Sequence, residues 1–288
     1  MSLIGQSSRI AGWTISPAAH ANAIWDALRF LFQHRILILA MARRGISNRY
    51  AGQILGSFWA AGHPLFQMSL LVFVFSVVFK QKVGGSFEMP RDYTTYILSG
   101  LAAWLSLSPT LNSSTTAIVD NANLVKQFTF DARVLPAKEI AIGGVVWVIC
   151  VAVVIGYTLI VEQSIPWTYV LIPVVAAIHF LIALGCGWAL AALAVFFRDL
   201  KDFVILATTA LIYLLPIVYL PNWTPELFRP LIYSNPFSHL IWVYQDVFYF
   251  GRLQHPLAWL ISTAFALLTV SFGYRIFRRL QPMFGGAL

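Results

Sequence analysis

The sequence predicts an all-α polytopic membrane protein with six transmembrane helices, an N-terminal amphipathic interface helix, and re-entrant helices before the last span. Three observations predict it. Hydrophobic residues fill 59% of the 288 positions and charged ones only 10%, against roughly 25% charged residues in soluble domains. Mean hydropathy is +0.76. The apolar residues also gather into runs near the ~20 residues a helix needs to cross a bilayer core. Together these values exclude a soluble enzyme, a disordered chain and a coiled coil. Cys150 and Cys186 both lie inside apolar runs and read as small packing residues rather than a disulfide framework.

The segment ahead of the first run, within residues 1–53, carries the amphipathic helix over 17–50. Ser16 and Pro17 make a helix start, with serine as cap and proline in the first turn. Asn22, Asp26, Arg29 and Gln33 recur at helical spacing, with Ile24, Leu28, Leu31 and Phe32 on another side. Trp25 and Phe30 blur the stripe. The transmembrane region, 54–280, holds six runs at about Leu55–Phe79, Thr94–Val119, Ile140–Val161, Tyr169–Phe197, Phe203–Leu220 and Leu257–Phe277. No acidic residue falls inside any of them. Between the fifth and sixth, residues 221–256 are apolar but broken by Pro225, Pro230 and Pro236. Glu226, Arg229, Asp246 and Arg252 add charges that bare hydrocarbon would not accept. This predicts short helices that enter and return, allowed at that depth where protein or water covers the backbone. Residues 281–288 form a tail.

Charge sets the orientation. With six spans, one side carries the residues before the first span, the loops near 120–139 and 198–202, and the tail; it holds fourteen of the 19 lysines and arginines. The positive-inside rule places that side, and both termini, in the cytoplasm, with 221–256 in the periplasm. The net charge of +8 is therefore topology rather than nucleic-acid binding. No glycine precedes a lysine, so a phosphate-binding loop of the G-x-x-x-x-G-K-[ST] type is absent, and no H-x-x-x-H or G-x-S-x-G occurs. Any energy for uphill transport has to come from another chain.

Particular residues carry a family signal. Residues 49–64 read R-Y-A-G-Q-I-L-G-S-F-W-A-A-G-H-P. Arg49, Tyr50, Leu55, Gly56, Trp59 and Pro64 resemble the R-Y-x-x-S-x-L-G-x-x-W-x-x-x-x-P motif of permeases from bacterial polysaccharide ABC exporters, with Gln53 in place of the serine. In the 120–139 loop, Asn123, Leu124, Phe130, Leu135 and Pro136 are similar to that family's N-x-x-L-I-x-x-x-x-F-P-x-x-x-L-P, with Asp131 replacing a proline. F-F-R-D-L at 196–200 and N-P-F at 235–237 are also family-like. The resemblance extends from about residue 25 to 280 and covers O-antigen, capsule and teichoic-acid exporters alike.

The resemblance implies a homodimeric permease of the inner membrane, paired with two copies of an ATP-binding cassette ATPase. The cargo would be a lipid-linked polysaccharide. ATP and Mg would be used by the partner, with no cofactor on this chain and no nucleic acid. A drug or lipid exporter of the same superfamily, or a capsular cargo, is the alternative. The 120–139 loop, with Asn123, Leu124, Lys126, Phe128, Phe130 and Arg133, mixes charges with apolar knobs suited to a partner's groove. Trp59, Phe66 and Phe73 recur every seven residues and drift only about 20° per step on a helix. With Tyr96, Trp104, Tyr213 and Tyr219 they are candidates for a sugar path, since aromatic faces stack on sugar rings without fixing one hydrogen-bond pattern. Ordinary packing and interfacial belts are the competing account of these rings. His34, Arg43, Arg44 and Arg49 are candidates for a lipid pyrophosphate.

Overall fold

The computed structural model describes residues 17–78, 91–126 and 130–288. All regular structure among them is helical. The principal helices are α1 (Pro17–Arg49), α2 (Trp59–Val72), α3 (Tyr93–Thr116), α4 (Val134–Tyr157), α5 (Ile172–Ala194), α6 (Leu200–Leu214), α7 (Arg229–Ser234), α8 (Pro236–Gln245) and α9 (Pro256–Leu280). Four stretches are long and apolar enough to cross a membrane: Trp59–Val78, Val134–Glu162, Trp167–Ala194 and Pro256–Ala287.

The other two predicted runs differ from simple spans, each for a physical reason. α3 has 24 residues, about 36 Å of helix, but serine and threonine dilute its hydropathy. It is the centre of the molecule: Tyr93–Leu107 is buried without interruption. Its hydroxyls bond back to its own turns, Ser106 Oγ to Ala102 O at 2.8 Å, Thr110 Oγ1 to Ser106 O at 2.7 Å and Ser114 Oγ to Thr110 O at 2.7 Å. Small polar side chains satisfied in this way can face protein on every side. α6 stops at 15 residues, about 23 Å. Pro216 cannot continue it, and Leu215 is already extended.

Past Leu215 the backbone is irregular, and neighbouring side chains satisfy it. Tyr96 Oη donates to Pro216 O and Tyr219 O, both at 3.1 Å; Gln245 Nε2 donates to Pro216 O at 2.8 Å; Tyr93 Oη donates to Val218 O. Broken backbone at this depth is tolerated because protein covers it.

Residues 221–256 give two short helices, as the prolines require. Asn235 caps α8 by accepting the Phe237 N–H at 3.0 Å, with Pro236 in its first turn. α8 is not peripheral: Ser238–Gln245 and Asp246–Tyr249 are all buried against α3 and α9. Asp246 is fully enclosed and accepts three hydrogen bonds: the His255 N–H at 3.0 Å, His255 Nδ1 at 2.8 Å and Trp259 Nε1 at 2.9 Å. That is how a carboxylate survives inside the bundle.

α5 and α9 make the closest crossing. A Cβ built on Gly185 would lie 2.2 Å from the Thr269 carbonyl carbon, and one on Gly273 would lie 2.0 Å from Gly185 O. Glycine at both positions lets the two backbones touch. At one end of the bundle, Arg91 pairs with Glu162 at 2.8 Å, which also accepts Thr95 Oγ1 at 2.6 Å.

α1 crosses the opposite, basic end. His20 Nδ1 lies 2.6 Å from Ser271 Oγ on α9, and Gly45 sits against Ile142 on α4. Its inner edge is Ala23, Ala27, Phe30, Ile38 and Ala42, all buried. Trp25, Phe32, Ile36 and Leu39 are exposed on another face. Phe30 and Trp25, which blur the sequence pattern, thus belong to two different apolar faces with a polar flank alongside.

Candidate functional site

Two regions gather the predicted residues. The first is the outer face of α2. Only Pro64 and Met68 of this helix are buried. Phe66 is 69% exposed and Phe73 54%, while Trp59 is half-buried. Trp59, Gly62, His63, Phe66, Gln67 and Leu70 line a groove of about 690 Å³. Gly62 leaves room for the indole, since a Cβ there would lie 3.1 Å from Trp59 Cε3. The helix starts at Trp59 because Gly52 (φ 77°) and Gly56 (φ 48°) turn the chain after α1 through left-handed conformations. These are glycines of the 49–64 motif. Lys80, the next position along the stripe, lies outside the described residues.

The other aromatics separate. Tyr213 is 67% exposed on α6. Tyr219 is half-buried, its hydroxyl donating to Leu214 O at 2.7 Å. Tyr96 and Trp104 are each 1% exposed, enclosed within the chain. Tyr96 holds the broken backbone after α6 and meets Tyr249 edge-to-face at 5.2 Å; Trp104 meets Phe237 edge-to-face at 5.7 Å. Every residue of α3 from Tyr93 to Leu107 is buried, so spacing alone could not single these two rings out.

The second region is the basic end. Ala122–Val125 forms one helical turn with Asn123 and Lys126 exposed and Leu124 half-buried. Phe128 lies outside the described residues. Phe130 is half-buried and packs on the core. Arg133 is not a free docking side chain. Its guanidinium bonds Asp131 at 2.5 Å and Tyr274 Oη at 2.6 Å, and stacks over the Phe30 ring at 4.2 Å. Its carbonyl accepts the Trp188 indole N–H at 3.2 Å. One residue thus ties the loop to α1, α5 and α9. Burial alone would raise the Asp131 carboxyl, but the hydrogen bonds and charge of Arg133 outweigh it and hold that carboxyl below the usual range. Burial would likewise lower the guanidinium, but Asp131 holds it above its ordinary value.

Beside Arg133 opens a groove of about 700 Å³, lined by Lys126 and Phe130 on one wall and by Arg278, Gln281, Phe284 and Gly285 on the other. The exposed turn at Phe196–Asp199 adjoins it, with the Phe196 and Phe284 rings 6.3 Å apart. The sequence pattern does not assign the 281–288 tail or the Phe30–Tyr274–Trp188 collar to this region, because these residues meet the 130–133 loop only through long-range packing. Arg43, Arg44 and Arg49 are exposed along the last third of α1, Arg49 reaching Glu139 at 3.4 Å. His34 lies apart from them, around a smaller pocket with Arg29, Arg133 and Arg278. Among the described residues, no three His, Cys, Asp or Glu side chains converge as metal ligands.

The comparisons with known proteins agree with one another. The model of the ABC-2 type transporter family matches residues 36–249, from α1 to the end of the buried segment after α8. Two O-antigen export system permease proteins of Klebsiella pneumoniae are each 26% identical, over 91% of this chain and 97% of their own length. One of Myxococcus xanthus is 29% identical over 84% of this chain and 92% of its own. With long apolar helices and a family match across most of its length, this multi-pass membrane chain belongs to the ABC-2 type transporter family of permease subunits.

Proposed function

We propose that this chain is the transmembrane subunit of an ATP-driven exporter that moves a lipid-linked polysaccharide, O antigen or a similar polymer, from the cytoplasm to the periplasm. The observation that carries this reading is the near end-to-end similarity to three permeases named for O-antigen export. α2, α3, α4, α5, α6 and α9 serve as six spans, α3 as the enclosed one and α6 completed by the covered backbone after it. α1 is the interface helix, α7 and α8 are the re-entrant helices on the periplasmic side, and both termini are cytoplasmic. The membrane is the bacterial inner membrane.

Two copies pair, and each engages one ATP-binding cassette subunit, which holds ATP and Mg. The turn at Ala122–Val125 and the Phe196–Asp199 turn face that subunit. In a dimer, the exposed rings of Trp59, Phe66 and Phe73 would face the path of the polymer, with Tyr213 from α6 nearby in that wall. Weak, repeated stacking suits a moving chain better than one tight site.

Deleting the gene tests the whole reading. Polymer should vanish from the cell surface and accumulate on its lipid inside, and a plasmid copy should restore export only with an active ATPase. Unchanged surface polymer in the deletion strain would refute it.

A further inference from the structure

We infer that Arg29, Arg133, Arg278 and His34 form a phosphate site at the membrane interface, held between α1, the 130–133 loop and α9. The four side chains line one pocket of about 220 Å³ with Asp26, Gln33 and Tyr274. A water takes about 30 Å³ in the liquid, so the pocket accommodates a phosphate or diphosphate with some of its water.

Charge points the same way. Arg133 is matched by Asp131 at 2.5 Å, and Arg278 reaches Asp26 at 3.6 Å. Arg29 is exposed and makes no ion pair among the described residues. His34 Nδ1 lies 3.0 Å from Phe30 O, leaving Nε2 as its other polar atom. The pocket therefore keeps one uncompensated guanidinium, with the His34 ring nitrogen as a further polar group beside it. Guanidinium groups offer paired donors that match phosphate oxygens.

The surroundings set the depth. Trp25, Phe32 and Ile36 project from α1 on one side. Another flank borders an almost wholly apolar groove of about 590 Å³ lined by Leu28, Leu31, Ile38, Ala137, Gly144 and Phe180. A helix so divided lies at the boundary between acyl chains and head groups, where phosphate is the dominant anion. The three cations Arg43, Arg44 and Arg49 lie beyond this pocket. The site itself stands on its geometry; only the identity of the carrier lipid rests on the exporter reading.

The test measures binding of farnesyl diphosphate, inorganic pyrophosphate and phosphatidylglycerol vesicles to the purified full-length chain. Farnesol serves as the uncharged control. The double variant R29Q/R278Q should weaken farnesyl diphosphate at least about tenfold, whereas K201Q, at an exposed lysine in the first turn of α6, leaves it unchanged. Unaltered melting of the double variant shows that it folds. If phosphatidylglycerol vesicles compete equally, the phosphate belongs to a resident phospholipid. If pyrophosphate alone binds as tightly, it is a free anion. Selective binding of the prenyl compound identifies the cargo's carrier. All three support the site when the double variant abolishes them. Equal affinity in the double variant and the parent, or an equal loss in K201Q, would overturn it. Binding needs no export, so failure of the exporter reading would leave this result intact.

Discussion

Arg133 and Asp246 show how single side chains hold a mostly apolar molecule together. Truncating Arg133 to alanine removes the hydrogen bonds of Nε and Nη2 to Asp131 and of Nη1 to Tyr274, together with the stacking on Phe30, and strands Asp131, so a loss of about 2–3 kcal/mol is expected. A fall in melting temperature of the detergent-purified chain measures it. Because the folded Asp131 carboxyl titrates below its unfolded value, its contribution is full above about pH 4. It disappears as pH falls through the lower, folded value. An acid titration of stability should therefore show a step that D131N lacks; identical acid curves for D131N and the parent would refute the pair's role. At Asp246 the order of effects is informative. Alanine leaves three donors unpaired, whereas asparagine keeps one oxygen for the His255 and Trp259 N–H groups, and the His255 ring can change tautomer to accept from the new amide. D246A should cost at least about 2 kcal/mol more than D246N. Equal melting of the two variants would mean that the hydrogen bonds do not anchor this turn.

At the scale of elements, the α5–α9 crossing makes the sharpest prediction. G185A and G273A each drive a Cβ into backbone, which no rotamer change relieves. Both should lose about 3 kcal/mol or more, beyond any gain in helix propensity. G156A, with nothing within 4 Å, should be neutral or stabilising by up to about 1 kcal/mol. Thermal melting of the three variants checks the ranking. Asn222 and Gln254 are both exposed. On the proposed topology, cysteines placed there, in a background lacking Cys150 and Cys186, should both react with an impermeant thiol reagent from the periplasm. Labelling of only one would mean that the segment crosses. These elements also show what the sequence could convey. Apolar runs and prolines located α2, α4, α5 and α9, and foretold that 221–256 would be broken. They could not show that α8 is buried, because Asp246 directly after it reads as surface until it meets His255 and Trp259. Nor could they separate Tyr96 from Phe66: one ring lies in the core and the other outside, yet both stand in apolar runs. The extended α6 run failed at Pro216, where hydropathy remains high while the backbone cannot remain helical.

At the scale of the whole molecule, burial is uneven. α3 is surrounded, while α2 and α6 each bury only two side chains within the protomer. The outer rings are therefore the part of the wall open to substitution without loss of the core. Replacing Phe66 and Phe73 with leucine keeps apolar volume and removes the ring faces. On the proposed exporter reading, two copies should still pair and the partner ATPase should still turn over, while polymer export falls several-fold. Unchanged export, or loss of assembly along with export, would make the stripe structural. The enclosure of α3 has a consequence for synthesis. This helix leaves the ribosome before α4, α5 and α8 exist, yet its tyrosines and hydroxyls suit a protein interior rather than lipid. Nascent chains must keep α3 in the insertion machinery, or shelter it with an insertase, until α8 emerges more than a hundred residues later. Chains truncated ahead of Pro236 should then be prominent targets of membrane quality-control proteases, whereas chains cut after Leu280 should escape them.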